Sequence, residues 1–218
     1  MTEMIVGKSL SKTYRTLVDT VSVFENLELK IDKGSMVALV GESGRGKTTL
    51  LNIISGLDRP STGEVWFGGE RIDTLDEEML SDFRNRHVGF IFQHHYLLED
   101  FTALENVLLP LRIGGKTIGE KEKEKAKELL SRVGLSDRLR HYPDQLSGGE
   151  RQRVAIVRAL IHDPDVVFAD EPTGSLDRRN ADRVEAILWE LCRSMGKTFV
   201  VATHNMELAR KCDAVISL

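Results

Sequence analysis

With 218 residues, 41% of them hydrophobic, the chain is long enough to bury a real core as one domain or two tightly packed lobes, and disorder is not the expectation. Against 34 Asp and Glu there are 30 Lys and Arg, a formal net charge of −4, so no nucleic-acid partner held by a general basic field is expected. No apolar run approaches the roughly 18–20 residues of a bilayer-spanning helix, and the opening MTEMIVGKSLSKTYR has no apolar stretch followed by a small-residue cleavage site, which places the chain in the cytosol without crossing a membrane itself.

In chain order, Thr20-Val-Ser-Val-Phe and Leu27-Glu-Leu-Lys-Ile alternate as half-exposed strands of a small antiparallel layer should. Met36–Val40, Val88–Phe92, Val166–Ala169 and Phe199–Ala202 are continuous apolar runs, as strands buried on both faces of a parallel sheet require. Each is followed by a polar residue of chemical interest: Gly41, Gln93, Asp170 and His204. In such sheets ligands bind beyond the carboxyl ends of the strands, so these four residues are expected to converge on one edge. Residues 94–158 differ in composition and read as a mostly helical lobe inserted into an α/β core of 1–93 and 159–218, the whole forming a single domain over 1–218. Within that lobe Glu120-KEKEKAKELLSRVGL pairs Glu122 with Lys125 and Glu124 with Lys127 on a solvated helical face, and Gly134 is its expected stop. Cys192 and Cys212 lack any C-x-x-C spacing and read as ordinary reduced thiols.

Gly41-Glu42-Ser43-Gly44-Arg45-Gly46-Lys47-Thr48 matches G-x-x-x-x-G-K-[ST] between an apolar run and the helical pattern that opens at Thr49. This strand–loop–helix context identifies a P-loop, whose backbone N–H groups wrap phosphates while Lys47 reaches the β and γ oxygens and Thr48 meets Mg²⁺. Arg45 stands where a small residue is usual, and its side chain points outward or touches the nucleotide. Val166-Val-Phe-Ala-Asp170-Glu171 is apolar and then doubly acidic, with Asp170 toward the metal and Glu171 toward the attacking water. Leu146-Ser-Gly-Gly-Glu-Arg-Gln152 opens a second anion-binding helix N-terminus, with Glu150–Ile161 as the helix and Pro164 beyond it. One site needs a single γ-phosphate cradle, so a second in the same chain points to another subunit's nucleotide. The adjoining His94 and His95 diverge in extended structure and have no third ligand at zinc spacing.

The P-loop, Gln93, LSGGERQ, the Asp170–Glu171 pair, Ser175-Leu-Asp177 and His204 occur in the order found in the ABC ATPases, which the chain resembles over essentially its whole length. The resemblance implies the ABC ATPase fold, a P-loop NTPase (RecA-like) α/β core with a mainly parallel sheet, an N-terminal antiparallel layer and an inserted helical subdomain. It implies ATP and Mg²⁺ as cofactors and a head-to-tail homodimer enclosing two ATP molecules. The implied catalytic set is Glu171, His204, Gln93 and Lys47. Tyr14 stacks on adenine; Gly41, Glu42, Ser43, Gly44, Arg45, Gly46, Lys47, Thr48 and Thr49 hold the nucleotide; Thr48, Gln93 and Asp170 bind Mg²⁺; Ser147, Gly148, Gly149, Glu150 and Asp177 reach the partner's ATP. Gly56-LDRPSTGEV, Phe83-RNRHVGF, Glu171-PTGSLD and the apolar segment Gln93-HHYLLEDFTALENVLLPLRIGG are similar to the lipoprotein-releasing (LolD-like) ATPases and to macrolide-exporter (MacB-like) ATPase domains. That similarity implies a peripheral ATPase on the cytoplasmic face of the inner membrane, with transmembrane permease subunits docking near Gln93–Leu109. Half of that apolar segment reads as core, and a cell-division-type (FtsE-like) regulatory module shares the same motifs.

Overall fold

In a computed structural model describing residues 2–15 and 19–218, strands β1 (Glu3–Arg15), β2 (Thr20–Asp32), β4 (Thr62–Phe67) and β5 (Glu70–Arg71) form an antiparallel sheet in the order β2-β1-β4-β5. Strands β3 (Met36–Val40), β6 (Val88–Phe92), β7 (Val166–Asp170), β8 (Thr198–Thr203) and β9 (Ala214–Ser217) form a parallel sheet in the order β6-β7-β8-β3-β9. The four apolar runs are therefore strands of one sheet. Because side chains alternate across a strand, each run feeds two cores. Val166, Phe168, Val200 and Ala202 pack with α1 (Lys47–Ile54) and the antiparallel layer. Val167, Ala169, Phe199 and Val201 pack on the opposite side, the side of α3 (Ala103–Ile113), α4 (Glu120–Arg132), α5 (Gly148–Leu160) and α6 (Arg178–Met195).

The two half-exposed N-terminal runs are one strand, β2. Their alternation breaks because Glu25 and Asn26 together oppose the single residue Ser11, a β-bulge in which Asn26 takes φ 50°. The helical region shares its core with the sheet, since one continuous cluster runs from Met36 on β3 to Ala126 and Leu130 on α4. Helix α5 links the two regions by packing on α3, α4, α6 and β6. On α4 the Glu124–Lys127 pair forms but Glu122–Lys125 does not. Glu122 instead accepts from the Gly119 amide as a helix cap, Glu120 takes Lys123, and partial burial lowers the Lys125 ammonium pKa. Charge spacing alone does not choose between an i,i+3 partner and an unsatisfied N-terminal amide. Gly134, at φ 73°, ends α4 as expected. The Cys192 and Cys212 thiols are both pushed up to about 11, chiefly by burial, which leaves them poor nucleophiles. No helix among the described residues is long and apolar enough to cross a membrane.

Candidate functional site

The carboxyl ends of β3, β6, β7 and β8 converge as parallel-sheet topology demands. A cleft of about 360 Å³ is walled by Ser43, Gly44, Gly46, Lys47, Thr48 and Thr49 on one side and by Gln93, Asp170 and Glu171 on the other. Gly44 and Gly46 take φ of 81° and 93°, the left-handed region that glycine enters without strain. A side chain at Gly46 would also collide with Val23, which closes the cleft from β2. Lys47 is 8% exposed, and its Nζ donates to the carbonyls of Gly41 at 2.8 Å and Glu42 at 3.2 Å. Its ammonium is thus held at the loop on weak neutral acceptors. Glu42 and Arg45 pair with each other at 3.5 Å on the outer side of the loop, so Arg45 points outward.

Asp170 Oδ2 accepts the Thr48 hydroxyl at 2.9 Å, whereas Asp170 Oδ1 is buried with no partner. Burial first, and the neighbouring Glu171 charge, raise the Asp170 carboxyl pKa against the opposing pull of Thr48 and Lys47. An orphaned carboxylate oxygen beside a hydroxyl, in a set of hard oxygen donors, fits a small divalent cation. Glu171 holds φ 45°, which a non-glycine residue adopts only when its surroundings enforce it. Its amide donates to Ala202 at 2.9 Å. Its Oε2 lies 2.9 Å from His204 Nδ1 and accepts the His204 amide at 3.4 Å. The backbone is bent so that this carboxylate lines the cleft beside His204. Gln93 backs onto Gly174, where an added methyl would lie 3.2 Å from its amide nitrogen.

The second helix N-terminus is built differently. Helix α5 begins at Gly148, two residues before the expected Glu150, because Ser147 caps it and both glycines are already helical. The Ser147 hydroxyl accepts the Glu150 amide at 3.3 Å while the Ser147 amide donates to Glu150 Oε2 at 2.9 Å, a reciprocal capping box, and the Ser147 hydroxyl also donates to that oxygen at 2.8 Å. Arg138 holds the other Glu150 oxygen at 3.0 Å. Burial opposes the Glu150 charge, but the Ser147 amide and hydroxyl and the Arg138 guanidinium together bring its carboxyl down to about 2. A side chain at Gly149 would come within 2.5 Å of Asn180 Oδ1. Asn180 is itself bound to Asp177, the N-cap of α6. None of Ser147, Gly148, Gly149, Glu150 or Asp177 lines the P-loop cleft.

The family model for ABC transporters matches residues 24–174. The chain is 49% identical over 211 residues to the lipoprotein-releasing system ATP-binding protein LolD of Pseudomonas fluorescens, covering 97% of this chain and 92% of that one. It is 48% identical to LolD of Cytophaga hutchinsonii over 98% and 95% of the two chains. The chain belongs to the ABC transporter family of ATP-binding ATPases. Its fold superposes on the dimeric structure of the bacterial ABC transporter cassette MJ0796 with a TM-score of 0.90 at 40% identity, over 99% of this chain and 94% of that one. The post-hydrolysis dimer of the same cassette, bound to ADP and Pi, gives a TM-score of 0.90 at 39% identity.

Within this ATPase frame Tyr14 lies outside the cleft lining. It is 42% exposed, its hydroxyl donates to Asp58 at 2.9 Å, and Lys12 sits 4.8 Å over its ring. Three further features take their shape only from the tertiary structure. Val23 escaped because a β2 residue touching the P-loop is a tertiary fact. Gln152 is fully buried, donating to the carbonyls of Phe92 and Pro172 and accepting from His95 Nδ1. It thereby ties the carboxyl ends of β6 and β7 to α5, and His95 is a strut whose imidazole pKa burial lowers. The third is a groove of about 740 Å³ between α3 and helix α2 (Glu77–His87), lined by Leu57, Asn85, Phe90, Leu109, Ile113 and Arg158 among others. Of the apolar segment that precedes and enters α3, Val107 and Leu108 are core, whereas Tyr96 and Leu98 are 65% and 44% exposed.

Proposed function

We propose that two copies of this chain close head to tail around two ATP molecules with Mg²⁺, and that this cycle drives transmembrane partners in lipoprotein release from the inner membrane, with the chain peripheral on the cytoplasmic face. The observation that carries the reading is the division of labour: the cleft holds a P-loop and a hydrolytic pair but no signature residue, while Ser147 caps a helix outside it. The shared names of relatives at 48–49% identity support the lipoprotein role.

In this reading the backbone N–H groups of 41–49 cradle the phosphates, and Lys47 leaves its two loop carbonyls for the stronger charge of the β and γ oxygens. Tyr14 stacks on the adenine from outside the cleft. Thr48 and Asp170, with Gln93 at the cleft wall, would hold Mg²⁺, which neutralises charge developing on the transferred phosphoryl group. Glu171 accepts the hydrogen bond of the attacking water, and His204, whose ring nitrogen already lies 2.9 Å from that carboxylate, fixes its direction and meets the γ-phosphate. Ser147, Gly148, Gly149, Glu150 and Asp177 of each chain face the nucleotide on the other. Gln93 reports phosphate occupancy to residues 94–158, the helical subdomain. The groove between α2 and α3, rimmed by Ile113 at 74% exposure and Leu57 at 46%, receives a short helix of the membrane subunit.

The test is reconstitution. Purified with its membrane subunits in lipid vesicles, the chain should release a membrane-anchored lipoprotein on ATP addition, and Ile113→Asp should abolish co-purification while ATP-dependent dimerisation persists. Membrane subunits that export a small solute and leave the lipoprotein in place would refute the lipoprotein role.

A further inference from the structure

Glu185 is 3% exposed in the middle of α6, and a buried carboxylate is costly unless its oxygens are bonded. Both are. Oε1 accepts Asn205 Nδ2 at 3.0 Å, and Oε2 lies 3.2 Å from Nζ of Lys211, which reaches in from helix α7 (Met206–Lys211). The other end of the Asn205 amide is equally committed: its Oδ1 accepts the amides of Glu207 at 2.9 Å and Leu208 at 3.3 Å, capping α7. The Asn205 amide nitrogen on the main chain donates to Thr203 Oγ1 at 3.0 Å. Every polar group of Asn205 that can fix the turn after β8 is thus used, and the neighbouring residue in that turn is His204, in contact with Glu171. Helix α6, which supplies Glu185, starts at the Asp177 cap.

We infer that Glu185 is a positioning residue for ATP hydrolysis: through Asn205 it fixes the turn that aims His204 at Glu171, and it couples that turn to the helix begun by Asp177. The inference rests on the proposed roles of His204 and Glu171 in hydrolysis. It also explains the identity of residue 205. An aspartate there would cap α7 as well as asparagine does, but it would set two carboxylates against each other at hydrogen-bond distance, where both cannot stay ionised.

The experiment compares kcat and KM for ATP in Asn205→Asp, Glu185→Gln, the double variant Glu185→Gln/Asn205→Asp, Glu185→Leu and His204→Ala. Rates are expressed per nucleotide-binding site, so that loss of folded protein does not count. Asn205→Asp should lower kcat about tenfold with KM for ATP nearly unchanged, the size of a displaced hydrogen-bonding group acting through geometry. The double variant should recover most of that loss, because the glutamine amide introduced on α6 can donate to the aspartate introduced in the turn and restores the bond with its polarity reversed. Glu185→Gln alone should fall in between, and Glu185→Leu should lower kcat as well as the melting temperature. If His204→Ala is inactive while Asn205→Asp turns over like the parent, or the double variant is no faster than Asn205→Asp, the inference is overturned and the hydrolytic assignment stands. If His204→Ala keeps full turnover, the assignment on which the inference rests is itself wrong and both fall.

Discussion

In the proposed function the P-loop cleft and the N-terminus of α5 both meet phosphate, yet the two differ in how far their polar groups are already partnered. In the cleft, charge is left waiting: Lys47 rests on two neutral carbonyls and one buried oxygen of Asp170 has no partner. At the start of α5 the cap is already made, because Ser147, Glu150 and Arg138 bond to one another. On that reading a bound nucleotide would give the first region the partners it lacks, whereas the capping bonds of the second are made without one.

The largest expected effects lie in the cleft. Lys47→Ala should abolish ATP hydrolysis, and unchanged turnover would dissolve the distinction between the two regions. Glu171→Gln should slow hydrolysis by about 10²- to 10⁴-fold while letting ATP and Mg²⁺ hold a dimer; a strictly monomeric variant on gel filtration would count against closure on bound nucleotide. At α5 the first effect is on folding. Ser147→Ala removes a helix cap worth about 1 kcal/mol, and calorimetry of the nucleotide-free chain should show a melting temperature about 2–4 °C lower. Lys47→Ala should cost the nucleotide-free chain less than that, because Lys47 gives up only bonds to its own loop.

The smallest effect is the acid dependence of the cap. Glu150 titrates at about 2 in the folded chain against an ordinary 4.5. A lowered folded pKa means that its stabilisation is complete above the unfolded value and is lost as pH falls toward the folded one. The stability gap between the chain and Glu150→Gln should therefore stay constant from about pH 7 to 5 and close between about pH 4.5 and 2. A gap that closed above pH 5 would mean that the capping box is not what holds the carboxylate.

Much of the cleft was legible in the sequence because its parts are local. Each buried strand is an uninterrupted apolar run, and the residue after it is brought to the ligand edge by topology alone, as Gln93, Asp170 and His204 show. What could not be read was tertiary pairing. The bulge at Glu25–Asn26 made one strand look like two, and Glu122 chose a helix-end amide over a lysine. Glu185 and Asn205 are 20 residues apart and carry no motif, so their bond appears only when α6 meets the turn that opens α7. The register of one helix against another depends on side-chain fit, which spacing does not encode.

The central claim is that the two regions belong to different chains' sites, and mixing two inactive variants tests it most directly. In a dimer of one Ser147→Arg chain and one Lys47→Ala chain, composition in trans places both lesions in one site and leaves the other whole. An equimolar mixture, half of whose dimers are mixed with one working site each, should regain about a quarter of the parental ATPase rate. A mixture no more active than either variant alone would contradict the account, since it would mean that each chain completes its own site.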